Sequence, residues 1–93
     1  MNRRYSATSK SRVQQAIADE IRRLCSHRGM SQYDLALRLG VSAGHLSDII
    51  TGRARLVPVV AARMDMLTGL GTGKKLYLEQ EAETIDRIQR QRA

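Results

Sequence analysis

His45, Ser47 and Asp48 fall within four positions of one another, and they are the residue types of a base, a nucleophile and an orienting acid. Such a triad acts only where a fold converges all three on one pocket, and nothing in the surrounding sequence builds one. Glu79, Glu81, Glu83 and Asp86 offer pairs of carboxylates, but Lys and Arg are interspersed and no pocket shifts their titration, so they read as a solvated helix face. Gly71-Thr72-Gly73-Lys74-Lys75 looks like a phosphate loop. Yet position 68 is Thr instead of Gly, no Ser or Thr follows the lysines and no strand precedes it, so it reads as a connection between helices. The lone Cys25 and two His residues supply neither an internal disulfide nor a zinc set, and Met64 and Met66 read as core and interface filler. The sequence implies no enzyme, no metal and no cofactor.

Positive charge is what the chain does offer. Sixteen Lys and Arg stand against nine Asp and Glu, a formal charge of +7, while the only aromatics are Tyr5, Tyr33 and Tyr77. Charge without a set of stacking rings points to duplex phosphate in preference to single strands. At 93 residues there is room for one core, since a chain of this size buries only about 60–65% of its unfolded surface. No apolar run approaches a membrane span, and Arg3-Arg4 is followed by polar Ser6-Ala7-Thr8-Ser9 where a signal peptide would have an apolar core, so the expected location is the cytoplasm.

The elements that would position this charge are all helical; no segment alternates like a strand. Residues 1–10 form a flexible basic arm, residues 11–70 a DNA-binding unit, and residues 71–93 a C-terminal helix expected to dimerise. Val13, Ile17, Ile21 and Leu24 recur at helical spacing and Gly29 closes that helix. Ser31 caps a second, with Asp34 in its first turn and Leu35, Ala36 and Leu39 inward. A three-residue turn at Gly40 leads to a third helix carrying Leu46, Ile49 and Ile50, ended by Gly52. Pro58 opens a fourth, whose buried side is expected to be Val59, Ala62, Met66 and Leu67. Thr72 or Gly73 is expected to cap a fifth, with Leu76, Leu78, Ile85 and Ile88. The fold class is all-α with five helices.

Gln32 to Gly52 reads as a helix-turn-helix. Ala36 is small where two helices cross, and Gly40 supplies the positive φ of the tight turn. That geometry frees the outer face of the third helix, carrying Ala43, Gly44, His45, Ser47, Asp48 and Thr51, to enter a major groove. Ala43 could touch a thymine methyl, His45 donate to guanine and Asp48 accept from cytosine. Arg53 and Arg55 follow in a loop placed for phosphate contacts, with Arg38, Arg12, Arg3, Arg4 and Lys10 as further candidates.

These residues resemble the lambda-repressor-like (Cro and cI, XRE-type) helix-turn-helix family, whose pattern is present as Gln32, Leu35-Ala36, Gly40-Val41 and Leu46-Ser47, across Val13 to Leu70. The resemblance implies base contacts from the early recognition helix, and from Gln32 either a contact to the DNA backbone or support of a base contact. Here Ala43-Gly44 replaces the usual longer amides. The expected DNA-binding set is Gln32, Ser42, Ala43, Gly44, His45, Ser47, Asp48, Arg53 and Arg55.

A narrower likeness, to the HigA antitoxin branch, rests on Gly52-Arg53-Ala54-Arg55-Leu56-Val57-Pro58, Gly71-Thr72 and Leu76-Tyr77-Leu78. Val57 stands where that branch has Ser and Tyr77 where it has Trp, and its Pro-Gly-Glu opening is absent. The branch implies an antitoxin that binds a toxin protein and represses its own operon; phage and mobile-element repressors share the same pattern. The overall expectation is a homodimeric transcriptional repressor on double-stranded DNA, with Leu78, Ala82, Ile85 and Ile88 of the fifth helix in the dimer contact. A basic module that grips an acidic protein and does not read DNA is the alternative.

Overall fold

Ser11, Ser31 and Ser42 each accept a hydrogen bond from the amide three residues on, at 3.0 Å, and a helix starts at each. An oxygen there satisfies an amide that the first turn leaves without a partner. At Ser31 the exchange is reciprocal, because the Asp34 carboxylate accepts from the Ser31 amide. The computed structural model describes residues 11–92, so the basic arm lies outside the described residues. Five helices follow one another: α1 (Arg12–Arg28), α2 (Gln32–Leu39), α3 (Ala43–Thr51), α4 (Pro58–Thr68) and α5 (Thr72–Arg92). Among the described residues there is no strand, and no helix is long and apolar enough to cross a membrane.

Ile17, Ile21 and Leu24 of α1 form the centre, against Leu35 and Leu39 of α2 and Leu46 and Ile49 of α3. Gly40, at φ 73°, reverses the chain between α2 and α3 within three residues. A side chain there would strain the backbone and would collide with the Arg63 guanidinium, which lies over it and donates to the Leu39 carbonyl at 2.9 Å. Among the described residues, α3 packs on α1 and α2 only; α4 packs on α2 and α5; α5 also rests on α1.

Two expectations are corrected by the structure. Val60, Ala61 and Met64 are the buried side of α4, with Leu67 half-buried, whereas Val59, Ala62 and Met66 face outward, Met66 at 82% exposure. Apolar residues occur at helical spacing on both sides of this helix, so periodicity alone does not choose. The choice is made by α5, because Gly73 closes onto the Ala61 carbonyl so tightly that a Cβ at Gly73 would strike it. The second correction concerns the cap of α5. Neither Thr72 nor Gly73 supplies it: the Asp65 carboxylate of α4 accepts from the Gly73 amide at 2.6 Å and from the Lys74 amide at 3.0 Å.

The fifth helix divides into two parts. Gly73, Leu76 and Gln80 are buried against the domain, and Leu56, from the loop before α4, joins the core beside them. Leu78, Ile85 and Ile88 point to solvent, and every residue from Ile85 to Arg92 is exposed.

Candidate nucleic-acid interface

Leu46, Ile49 and Ile50 fasten α3 by its inner side. The opposite side is left uncovered: Ser42, Ala43 and Gly44 are exposed at its start, and His45, Ser47 and Asp48 are half-buried along its flanks. The two smallest residues thus stand at the exposed start of the helix, where another surface could approach the backbone closely. Ser42 has a structural duty as well, since its hydroxyl holds the His45 amide. Gln32 is exposed at the first position of α2, directly after the Ser31 cap.

The far end of α3 is held from a distance. Gln14 of α1 donates from Nε2 to the Ile49 carbonyl at 2.9 Å and to the Ile50 carbonyl at 3.1 Å. These are carbonyls of the last turn, which a helix cannot bond internally. Gly52, at φ 87°, closes the helix beside it, and a Cβ there would come within 3.2 Å of the Gln14 amide carbon. Sequence reasoning missed Gln14, Arg63 and Gln80 as supports of the site. Each acts on backbone at least 24 residues away, so no local pattern marks it.

The two loop arginines part company. Arg53 stays beside α3: its amide and that of Ala54 donate to the Asp48 carbonyl at 2.8 and 3.1 Å, and its guanidinium lies 3.9 Å from the Asp48 carboxylate, 78% exposed. Such an exposed, long pair is weak. Arg55 turns to α5, donating to the Thr84 hydroxyl at 2.9 Å and to the Glu81 carboxylate. Just beyond it, the Leu56 amide donates to Gln80 Oε1 at 2.9 Å while Gln80 Nε2 donates to the Leu56 carbonyl at 2.7 Å. This buried two-way exchange fixes the loop to α5. Arg38 and Arg12 are exposed in the last turn of α2 and the first turn of α1.

His45, Ser47 and Asp48 lie along an open helix face with no enclosing wall, and among the described residues no three His, Cys, Asp or Glu side chains gather as metal ligands. Burial, and next the nearby Asp34 carboxylate, push the Cys25 thiol up, which keeps it in its less nucleophilic protonated form.

A helix pair joined by a three-residue turn, braced by a helix before and helices after, is a geometry with a known family, and residues 16–75 match the helix-turn-helix domain. The chain belongs to that family. No curated protein and no solved structure matches it. Within the helix-turn-helix, α2 and α3 are the helices joined by the turn at Gly40.

Proposed function

We propose that this protein binds duplex DNA sequence-specifically and represses transcription. The uncovered outer face of α3 carries the reading: Ser42, Ala43 and Gly44 at its start, His45, Ser47 and Asp48 along it, with Gln32 and Arg53 on either side. His45 donates to a guanine acceptor, Asp48 accepts from a cytosine amino group once Arg53 moves to phosphate, and Ala43 meets a thymine methyl. Gly44 lets the backbone close on the groove. Gln32 and the Ser42 hydroxyl position the helix on the backbone, and Arg55 reaches phosphate only on leaving Glu81 and Thr84. One such face covers too few base pairs for selective binding, so two copies act on half-sites about 34 Å apart. The excess of cationic side chains supplies the sequence-independent part of the affinity, in the cytoplasm where the DNA lies.

The narrower reading, an antitoxin-like repressor of its own operon that also holds a toxin protein, is supported by the Gly52 to Pro58 segment. There Leu56 is buried and Pro58 starts α4.

Selection of a binding site from random duplexes, followed by affinity measurements at several salt concentrations, tests the proposal. The selected site is bound at least about a thousandfold more tightly than unrelated duplex, and affinity falls steeply as salt rises. Equal, weak binding to every duplex would defeat it and would favour a module for acidic protein partners.

A further inference from the structure

The start of α1, the end of α3 with the loop after it, and the middle of α5 enclose a cleft of about 410 Å³, whose polar lining includes Ser11, Thr51, Arg55, Glu83, Thr84 and Arg87. Gln80, Thr84 and Arg87 follow at intervals of four and three, so they form one stripe along α5. Each stands against the loop or the cleft: Gln80 holds the Leu56 backbone, Thr84 accepts from Arg55 at 2.9 Å, and Arg87 comes next along the same wall. Arg87 is therefore carried by α5 yet shares a cleft with Thr51, the last residue of α3. Its guanidinium lies 3.4 Å from the Glu83 carboxylate and is 57% exposed. With Arg53 on Asp48 and Arg55 on Glu81, three arginines around the end of α3 each rest on a carboxylate of their own. All three pairs are exposed, so each is weak.

We propose that this cleft takes a backbone phosphate of duplex DNA, gripped by Arg87 of α5 together with Arg55 of the loop, and that Glu83 holds Arg87 back until the phosphate arrives. The inference rests on the DNA-binding proposal and adds the fifth helix to that interface. Helix length supports it. α3 has nine residues and is about 14 Å long, whereas a major groove is about 12 Å wide, so a helix that enters by Ala43 and Gly44 brings its far end to the rim where the phosphates run. The cleft opens at that end, and its two guanidiniums are planar forks that match the oxygens of a phosphate. The carboxylates give the grip a condition. An encounter that does not seat α3 sets Glu81 and Glu83 against phosphate, which repels it, whereas a seated α3 supplies a phosphate in place of each carboxylate. The acids of α5 thus lower affinity for unrelated duplex, and the arginines regain it at the selected site.

Affinity of the full chain for its selected duplex and for unrelated duplex, measured against salt, tests the cleft. Arg87→Gln is expected to weaken both about tenfold at low salt and to lower the salt slope by about one, with the selected sequence unchanged. Lys75→Gln removes the same charge from α5 outside the cleft and is expected to leave the slope as it is. Glu83→Gln is expected to tighten binding about threefold, and more for unrelated duplex than for the selected one. Circular dichroism checks that each variant folds. An Arg87→Gln chain with the wild-type slope, or one no weaker than Lys75→Gln, overturns the inference, as does a Glu83→Gln chain that binds less tightly. A free anion offers the same chemistry, so thermal unfolding is compared in inorganic phosphate and in chloride at equal ionic strength. No difference is expected; stabilisation by phosphate that Arg87→Gln abolishes would reassign the cleft to a small phosphorylated ligand. Failure here with a wild-type chain that still prefers its selected site leaves the DNA reading standing. A wild-type chain blind to sequence, whose slope still drops with Arg87→Gln, does the reverse, and one that binds no duplex overturns both.

Discussion

The outer face of α3 and the outer face of α4 and α5 are both surplus to the core, and they differ in nearly every other respect. The first is small and polar, with Ala43, Gly44, His45 and Asp48. The second is apolar, with Val59, Met66, Leu78, Ile85 and Ile88. The first is fixed at both ends, by the Ser42 cap and by Gln14 on the last carbonyls. The second ends in an arm that, among the described residues, is held by its own backbone and two ion pairs along one helix. A surface that reads base edges must arrive already shaped, because a small displacement forfeits directional hydrogen bonds. Apolar attraction is non-directional and roughly proportional to area, so it sets no such demand on exact position. On the DNA-binding proposal, rigidity is concentrated where geometry would carry information.

Substitutions that separate the two faces from the core test this contrast, and the largest effect comes from the core beneath α3. Ile49→Ala is expected to cost about 2–5 kcal/mol in denaturant unfolding, because it empties a fully buried site, while Ile88→Ala in a monomeric background stays within about 0.5 kcal/mol of wild type. Equal losses at the two positions would erase the distinction. Gln80→Ala comes next, at about 2–3 kcal/mol, since it leaves the Leu56 amide and carbonyl buried without partners. The same variant sharpens the comparison: it loosens the loop bearing Arg53, so DNA affinity is expected to fall by more than the unfolded fraction of the variant accounts for. The finest distinction lies within the α3 face. His45→Ala relaxes preference at one base position by about 1–3 kcal/mol, whereas Arg53→Ala weakens all duplexes alike and lowers the salt slope by about one. If His45→Ala leaves the selected site unchanged, the readout face lies elsewhere on the helix.

Much of this arrangement was legible one helix at a time. Ser31 marks a start, Gly29, Gly40 and Gly52 mark ends, and the apolar spacing of α1, α2 and α3 indicates the sides that meet. These are local signals: a cap bonds within three residues and a stripe repeats every turn. The same reading misled at α4, where Val59, Ala62 and Met66 compete with Val60, Ala61 and Met64 for the interior, and it could not anticipate that Asp65 caps α5.

By itself, then, the sequence determined the five helices, the turn at Gly40, the excess positive charge and the polar, small-residue character of the α3 face. Tertiary structure alone decided which side of α4 turns inward, that Arg55 leaves the loop for Glu81, and that Gln14, Arg63 and Gln80 hold backbone far along the chain. The physical reason is range. Helix caps and periodicity are settled by neighbours a turn away, whereas an apolar side chain has no preferred direction and a long polar one has many acceptors within reach, so only the docking of the helices selects among them.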